Sequence, residues 1–367
     1  RDQVCDRESL RPIPRTGILL EIRRLSISTD ASYPEIRFNA LNGDRVIIAS
    51  NRAVRPNLPE YYGEKEELPR YDSSCPFCPG NEKQAASEVY RSPASGDPLS
   101  PGWVVRAVQN KYPALVAVGG QAAEAAGRYR YSEPALGKHE VIIEHPLHDK
   151  AFTDLDDDEL LRVMQAYRDR FASAAADPRI RHVVIFRNQG RLANATILHP
   201  HAQLAAMCFV PSHVKRVLER SLEHRGAGGH ALLFDIVQEE VEHGDRLILA
   251  TRRFAAFVPY APAHDYEIWV APRFVPPRFD SLDDGTLLEF GQALRGALGA
   301  LHSALAGPDY NYVLHTPPLL GTESALPWYV QIIPRRTLAA GFELGVGVQI
   351  VVTLPERAAA RLRDGLS

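Results

Sequence analysis

The sequence contains few cysteines and little net charge, and it lacks any long apolar run. Four cysteines among 367 residues are too few for a disulfide framework, so we expect a protein of the reducing cytoplasm. A formal net charge of −3 argues against the concentrated Lys and Arg that a nucleic-acid-binding surface needs. No apolar run reaches the roughly 18 residues that cross a membrane, and the first residues lack the apolar core of a secretory signal. The composition therefore predicts a cytoplasmic protein that binds neither nucleic acid nor membrane.

One series of secondary-structure elements occurs twice along the chain. The first series predicts a strand over His139–Glu144, a helix over Phe152–Ala176, a strand over His182–Phe186 and a strand that ends near Val210. The second predicts a strand over Tyr266–Ala271, a helix that ends near Ala306, and strands over Tyr310–Leu314 and Trp328–Pro334. The helices follow similar segments, Phe152-Thr153-Asp154-Leu155-Asp156-Asp157 and Phe279-Asp280-Ser281-Leu282-Asp283-Asp284. The repetition predicts a pseudo-symmetric α+β fold.

The repeat divides the chain into a lead-in segment over residues 1–33, a first half over 34–225 and a second half over 226–367. The length is sufficient for one large duplicated domain or for two domains. The second half has no histidine at the positions that match His199 and His201 of the first half. We therefore expect the chemistry to lie in the first half.

Two motifs of the first half predict a metal site beside a reactive imidazole. Cys75 and Cys78 have the CxxC spacing that suits a tetrahedral thiolate site, typically for zinc. Side chains alternate along a strand, so His199 and His201 are predicted to point to the same face of an extended segment. The region over residues 56–100 is rich in Pro, Gly, Ser and charge, and we expect it to be a loop. A long irregular loop needs a staple or a function, and metal ligation supplies one.

At these positions the chain resembles the galactose-1-phosphate uridylyltransferase family, the transferase branch of the histidine-triad superfamily, which includes ADP-glucose phosphorylase-like members. The resemblance covers roughly residues 34–365 and rests on several motifs in the family's order. They are Asn51-Arg52-Ala53-Val54-Arg55-Pro56, Cys75-Pro76-Phe77-Cys78, Asn110-Lys111-Tyr112-Pro113, Glu144-His145-Pro146-Leu147-His148, Asn188-Gln189-Gly190, His199-Pro200-His201-Ala202-Gln203 and Gly341-Phe342-Glu343-Leu344-Gly345. The resemblance implies a duplicated histidine-triad-like unit, in which helices pack on a mainly antiparallel sheet.

The resemblance also implies nucleotidyl transfer from a sugar nucleotide by double displacement. His201 matches the family's nucleophile, since a neutral imidazole nitrogen attacks phosphorus and the resulting phosphoramidate is labile. Gln203 would donate its amide to a non-bridging phosphate oxygen. Asn188 and the backbone around Gly190 and Asn194 would form a phosphate cradle, with Thr196 near the outer phosphate.

The remaining site residues are also implied by the family. Its zinc ligands match Cys75, Cys78, His148 and His199, which would form a closed structural site. The family's spacing selects His148 over His145. Its substrate contacts match Arg52 and Arg55 for phosphates, Asn110 and Tyr112 for the nucleoside, and Glu343 and Gln349 for the hexose hydroxyls. In the family this last pair reaches the site from the neighbouring subunit of a homodimer, so a homodimer is expected here.

The sequence leaves the acceptor open. Another sugar 1-phosphate would make the enzyme a uridylyltransferase, and inorganic phosphate would make it a phosphorylase. A hydrolase would use water, but its relatives place a third histidine where this chain has Gln203 and Leu204, which favours transfer. A zinc-stabilised nucleotide-binding protein is the non-enzymatic alternative. One departure from the family is Asn194, which stands where the phosphate loop usually has Gly, and we expect its side chain to narrow the pocket or change the acceptor.

Overall fold

A computed structural model describes residues 33–54, 67–94, 97–118, 124–274, 276, 278–321, 324–336 and 339–366 of the chain. Residues 1–32 of the predicted lead-in segment lie outside the described residues. Among the predicted site residues, so does Arg55. No helix in the described ranges is both long enough and apolar enough to cross a membrane.

The described residues form fifteen strands and six α-helices. The strands are β1 (Glu35–Phe38), β2 (Arg45–Ile48), β3 (Glu88–Ser92), β4 (Val105–Gln109), β5 (Glu124–Gly127), β6 (Arg130–Ser132), β7 (Gly137–Ile143), β8 (His182–Gln189), β9 (His201–Met207), β10 (Leu247–Ala250), β11 (Phe254–Phe257), β12 (Ile268–Pro272), β13 (Tyr310–His315), β14 (Tyr329–Pro334) and β15 (Gln349–Val351). The helices are α1 (Asp157–Ala175), α2 (Ser212–Gly226), α3 (Leu232–His243), α4 (Asp284–Ala304), α5 (Gly341–Val346) and α6 (Pro355–Asp364). Short 3-10 helices cover Ser50–Val54, Glu82–Gln84, Phe152–Asp154 and Phe279–Ser281.

Ten strands form one sheet in the order β10-β11-β12-β14-β13-β8-β9-β7-β4-β3, and every neighbouring pair is antiparallel. Strands β8 and β13 pair in the middle, so the two halves of the sequence share this sheet. Strands β1, β2 and β15 form a separate small sheet, and β5 pairs with β6. The mainly antiparallel α+β fold predicted from the sequence is confirmed.

The duplication is visible in register and in capping. Gln203 pairs with Val141 of β7 and Phe186 of β8, and Gln331 pairs in the same way with Trp269 of β12 and Val313 of β13. Each long helix begins after a 3-10 turn and an aspartate cap: Asp156 accepts from the Glu159 N–H, and Asp283 accepts from the Thr286 N–H. Such caps satisfy backbone donors that the first helical turn leaves free. The acidic segments therefore begin both helices for the same physical reason.

Alternation along the strands divides the core between the two faces of the sheet. One face packs against α1, α4 and α6, through residues such as Ile142 and Val270. Leu160 of α1 lies so close to Gly291 of α4 that a Cβ there would be 2.8 Å from its Cγ. The other face is covered in the second half by α2 and α3, which pack on Trp269 and Phe257. In the first half the same face is covered by the segment that contains Cys75 and Cys78.

Several predicted bounds differ from the structure. The first long helix begins at Asp157 and not at Phe152, because Phe152–Asp154 forms a 3-10 turn. The region predicted to be loop contains β3, which forms an edge of the large sheet. The strand predicted to carry both histidines begins only at His201. Strand β3 was not predicted because it carries charged residues. In the structure these charges are paired, Glu88 with Arg91 of the same strand and with Arg106 of β4.

Candidate active site and metal centre

Two cysteines and two histidines converge in the first half. The ligand atoms of Cys75, Cys78, His148 and His199 lie within 4.8 Å of one another, and all four residues are buried. Cys78 Sγ lies 3.4 Å from His148 Nδ1 and 3.6 Å from His199 Nδ1. Ligand atoms at bond lengths of about 2.3 and 2.0 Å from a tetrahedral zinc ion are about 3.5 Å apart. The donor set and its spacing therefore fit zinc.

Local backbone structure prepares this cluster. The Cys78 N–H donates to the Cys75 carbonyl, and the Asp72 N–H donates to Cys78 Sγ at 3.4 Å. Asn81 holds the turn from the other side, because its Nδ2 donates to the Cys75 carbonyl at 2.9 Å. The His148 N–H donates to the Arg70 carbonyl, which connects this histidine to the cysteine segment.

Protonation in the cluster depends on burial and on one backbone carbonyl. His199 Nε2 lies 2.8 Å from the His145 carbonyl and therefore carries the proton, which leaves Nδ1 free to ligate. Burial lowers the pKa of His199 to about 3, so its ring is neutral at pH 7. Burial raises the pKa of the Cys75 thiol to about 11, and a bound cation would offset this cost by stabilising the thiolate.

Phe77 connects the cluster to the predicted nucleophile. Its ring lies edge-on to His199 at 6.1 Å and to His201 at 5.3 Å between ring centroids. Phe77 is held between the two cysteines, so the position of the CxxC turn fixes the wall against which His201 packs. The cluster thus supports His201 through packing as well as through the chain.

His201 is presented as a neutral imidazole with a defined tautomer. Its Nδ1 lies 2.8 Å from the His199 carbonyl, to which it donates, so Nε2 is the unprotonated nitrogen. The residue is buried at the start of β9, and burial lowers its pKa to about 4. A neutral Nε2 with a fixed ring orientation has the properties of a nucleophile at pH 7.

Gln203 lies two residues further along β9, on the same face of the sheet as His201. Its Oε1 accepts from Asn110 Nδ2 at 3.3 Å and lies 2.9 Å from His139 Nε2. Within the described chain no hydrogen bond is formed by Gln203 Nε2. The amide N–H groups are therefore free for a ligand.

The loop that follows β8, which is predicted to bind phosphate, is held by residues of the second half. Asn188 Oδ1 accepts from Asn311 Nδ2 at 2.7 Å, which directs the amide of Asn188 away from Asn311. Asp309 accepts from the Leu192 N–H at 2.7 Å. Gly190 has φ +86°, and a Cβ there would lie 1.9 Å from Asp309 Oδ1, so glycine is required.

Asn194 takes the place of the family's glycine without loss of backbone geometry. Its φ is +65°, a left-handed conformation that Asn adopts more readily than most residues. Its N–H donates to the Arg191 carbonyl within the loop. Its side chain is exposed, as is that of Thr196.

The other predicted substrate contacts lie on four different elements of the chain. Arg52 is half-buried in the 3-10 helix Ser50–Val54, and Tyr112 is exposed beyond the end of β4. Glu343 lies on α5 and Gln349 on β15, which belongs to the small sheet. Glu343 Oε2 accepts from the Ala340 N–H at 3.0 Å. Within one chain, contacts join His201 to the cysteine cluster through Phe77, and they join Gln203 to Asn110. Glu343 and Gln349 lie on α5 and β15, outside this group of contacts.

Four residues hold the site in ways that sequence reasoning did not predict: His139, His145, Asp309 and Asn311. The contact from His145 comes from its backbone carbonyl, which no side-chain motif reveals. Asp309 and Asn311 lie in the second half, where no site residue was predicted near them because that half lacks the two histidines. The pairing of β8 with β13 brings them to the loop that follows β8, and no motif in the sequence indicates that pairing.

Comparisons with known proteins identify the class of protein that carries this site as a nucleotidyltransferase. The family profile described as "Galactose-1-phosphate uridyl transferase, N-terminal domain" matches residues 25–211. The ADP-glucose phosphorylase of Arabidopsis thaliana is 31% identical over 341 residues, which cover 92% of this chain and 94% of that protein. The galactose-1-phosphate uridylyltransferase of Cryptococcus neoformans is 29% identical over 360 residues, which cover 90% of each chain.

A solved structure gives the same result in three dimensions. The crystal structure of the Arabidopsis thaliana ADP-glucose phosphorylase with bound ADP-glucose is 29% identical, with a TM-score of 0.76, and the match covers 90% of this chain and 98% of that one. The chain belongs to the galactose-1-phosphate uridylyltransferase family.

Proposed function

We propose that the protein transfers a nucleotidyl group from a sugar nucleotide to a phosphate acceptor through a covalent nucleotidyl-His201 intermediate. The observation that carries this proposal is the hydrogen bond from His201 Nδ1 to the His199 carbonyl, which leaves Nε2 unprotonated. The similarity to uridylyltransferases and to an ADP-glucose phosphorylase supports the sugar nucleotide as donor.

In the first step His201 Nε2 attacks the α-phosphorus, and an N–P bond forms while the bond to the bridging oxygen breaks. The sugar 1-phosphate leaves as an anion and needs no proton. His201 keeps its Nδ1 proton, and the positive charge that develops on the ring is stabilised by the His199 carbonyl at 2.8 Å. The amide groups of Gln203 and Asn188 donate to the non-bridging oxygens, where charge shifts in the transition state.

In the second step an oxygen of the acceptor phosphate attacks the same phosphorus, and the N–P bond breaks. A sugar 1-phosphate and inorganic phosphate can both supply that oxygen, so one intermediate serves both reactions. Phosphorolysis is a specific second candidate, because a relative at 31% identity and a structure at a TM-score of 0.76 are both ADP-glucose phosphorylases. Comparison of the two acceptors at equal concentration distinguishes the candidates.

Zinc held by Cys75, Cys78, His148 and His199 would brace the segment beneath His201, and it is proposed to be structural because four protein ligands would complete a tetrahedral site. Arg52, Arg55, Tyr112, Gly190, Asn194 and Thr196 are proposed to complete the nucleotide site. A homodimer, in which Glu343 and Gln349 reach the site of the neighbouring subunit, stays a prediction of the family resemblance. The cytoplasmic location stays a prediction from the small number of cysteines.

The test is intact-protein mass spectrometry after separate incubation with ADP-glucose, UDP-glucose, UDP-galactose and a GDP-sugar. We expect one donor to add the mass of its nucleoside monophosphate to the wild type. His201→Ala should give no adduct, because the attacking nitrogen is lost.

His315→Ala is the matched control, since it removes a half-buried histidine of the second half that the mechanism does not use. That variant should form the adduct. An adduct on His201→Ala, or no adduct on metal-replete wild type from any donor, contradicts the covalent mechanism.

A further inference from the structure

His139 lies beside Gln203 but belongs to none of the family's sequence motifs. It is located on β7, two residues before Val141, which pairs with Gln203. Its Nε2 lies 2.9 Å from Gln203 Oε1. We infer that His139 is a positioning residue, which aims the Gln203 amide at the phosphate by holding the Gln203 oxygen. This inference rests on the proposed function, since it assumes that Gln203 donates to a phosphate oxygen.

His139 Nε2 also lies 3.3 Å from Asn110 Nδ2, so the tautomer of His139 is decided by the contact of its other ring nitrogen with a backbone N–H. The Ala114 N–H donates to His139 Nδ1 at 3.1 Å, so Nδ1 is the unprotonated nitrogen. The proton of the neutral ring is therefore on Nε2, and Nε2 donates to Gln203 Oε1. A backbone N–H can only donate, so the bond from Ala114 fixes the direction of the next hydrogen bond, from His139 Nε2 to Gln203 Oε1.

Asn110 acts in parallel and is fixed in the same way. Its Oδ1 accepts from the Tyr112 N–H at 2.9 Å, so its Nδ2 is the group that faces Gln203 at 3.3 Å. Two donors thus converge on one oxygen of Gln203, and both are set by backbone N–H groups of the segment that follows β4. The opposite orientation of the Gln203 amide would place its N–H groups against two other donors, which is unfavourable.

The second half provides a natural contrast at the matching position. Glu267 lies two residues before Trp269, as His139 lies two residues before Val141. Glu267 Oε1 accepts from Gln331 Nε2 at 2.8 Å, so this glutamine is held by its nitrogen. An acceptor at this position consumes the amide N–H, whereas a donor leaves it free. The residue type at position 139 therefore decides which end of the glutamine faces the ligand.

The decisive experiment compares His139→Gln with His139→Glu in the full-length, metal-replete protein. The two side chains have the same shape, but only glutamine keeps an N–H donor for Gln203. The rate of adduct formation on His201 would be measured in single turnover with the donor that labels the wild type. We expect His139→Gln to remain within about 5-fold of the wild type. His139→Glu should be about 100-fold slower, as Gln203→Ala should be, because each removes one donor to the phosphate.

A double variant separates orientation from simple charge repulsion. In the Gln203→Ala background, His139→Glu should have no further effect beyond about 3-fold, because the group that it reorients is gone. An equal loss in both backgrounds would show repulsion of the phosphate and would overturn the inference. Equal rates for His139→Gln and His139→Glu would also overturn it. Zinc content and the unfolding midpoint of each variant serve as folding controls.

Binding of AMP and UMP gives a readout that requires no turnover. Calorimetric titration of the same variants should show weaker binding for His139→Glu than for His139→Gln, and no difference between them when Gln203 is alanine. If the wild type forms no adduct but this pattern holds, the covalent mechanism fails and the positioning role stands. If the adduct forms but the pattern is missing in both measurements, the positioning role fails alone.

Discussion

The same face of the large sheet is covered in two different ways in the two halves. In the second half α2 and α3 bury it with apolar side chains, around Trp269 and Phe257. In the first half a segment covers it whose described residues 67–87 form no α-helix, and the apolar part of that cover is built around Cys75, Phe77 and Cys78. Helices close a face by packing alone, whereas a loop needs another source of rigidity. The four residues that could hold a metal ion, Cys75, Cys78, His148 and His199, offer such a source of rigidity.

The polar residues on this face follow the same division. Both ends of the Gln331 amide are engaged, since Nε2 donates to Glu267 and Oε1 lies 2.9 Å from His315 Nε2. Tyr329, which occupies the register position of His201, stacks on His315 at 4.8 Å between ring centroids. In the first half only the oxygen of Gln203 is engaged by described residues. The Gln331 amide is thus satisfied within the second half, whereas the Gln203 amide nitrogen has no hydrogen bond to a described residue.

The largest effect should come from removal of the metal-ligand cluster. We expect Cys78→Ser to lose stoichiometric zinc, measured by elemental analysis, and at least about 4 kcal/mol of unfolding free energy, since binding of a structural metal contributes directly to folding. Cys208→Ser is the matched control, because Cys208 is a half-buried free cysteine outside the cluster. It should keep the metal and most of the stability. Unchanged zinc content in Cys78→Ser would show that the first half is not braced in this way.

An intermediate effect should come from the phosphate loop. Gly190→Ala forces a Cβ into the carboxylate of Asp309 at a φ of +86°, and should cost about 3 kcal/mol of unfolding free energy. It should also slow adduct formation about 100-fold by displacing the cradle. Gly102→Ala has a φ of +105° and no atom within 4 Å of the added Cβ, so it reports the backbone cost alone. If the two variants lost the same free energy of unfolding in urea and formed the adduct at the same rate, the contact with Asp309 would not matter for the loop.

The smallest effect should come from the closed polar network of the second half. Glu267 is buried, and although burial opposes ionisation, hydrogen bonds from His264, Trp269 and Gln331 lower its pKa. Glu267→Gln should cost about 2 kcal/mol at pH 7, because a donor then faces donors. Adduct formation should change by less than about 3-fold.

The pH dependence of this cost has a definite sign. A folded-state pKa below the unfolded value of about 4.3 gives stability that is present above pH 4.3 and is lost as the pH falls below it. The difference in unfolding free energy between wild type and Glu267→Gln should therefore shrink from pH 7 to pH 3 in urea titrations. A constant difference across this range would mean that the pKa of Glu267 does not change on folding.

Much of the fold followed from local sequence signals. The two aspartate-capped helices and the central strands were predicted close to their observed bounds, because capping and period-2 alternation are local. Helices α2 and α3, by contrast, were not predicted. Nor was β3, where paired charges replace the apolar alternation that identifies a strand.

The site divides in the same way. The sequence predicted one group of metal ligands, because two cysteines and two histidines at the family's spacing are typical of a zinc site. The structure brings the ligand atoms of these residues, Cys75, Cys78, His148 and His199, within 4.8 Å of one another. The roles proposed for Arg52, Arg55, Glu343 and Gln349 stay predictions. They depend on substrate and on a second subunit, and Arg55 lies outside the described residues.

The sequence by itself determined the duplicated α+β architecture, the family and the identity of the candidate nucleophile, since these depend on residue types at fixed spacing. Only the tertiary structure decided the state in which those residues act. The His201 tautomer is set by a backbone carbonyl, the Asn188 orientation by Asn311, and the Gln203 orientation by His139. Each of these choices is made by a hydrogen bond whose direction depends on which atoms meet in space, and for Asn188 and Gln203 the partners lie 123 and 64 residues away along the chain.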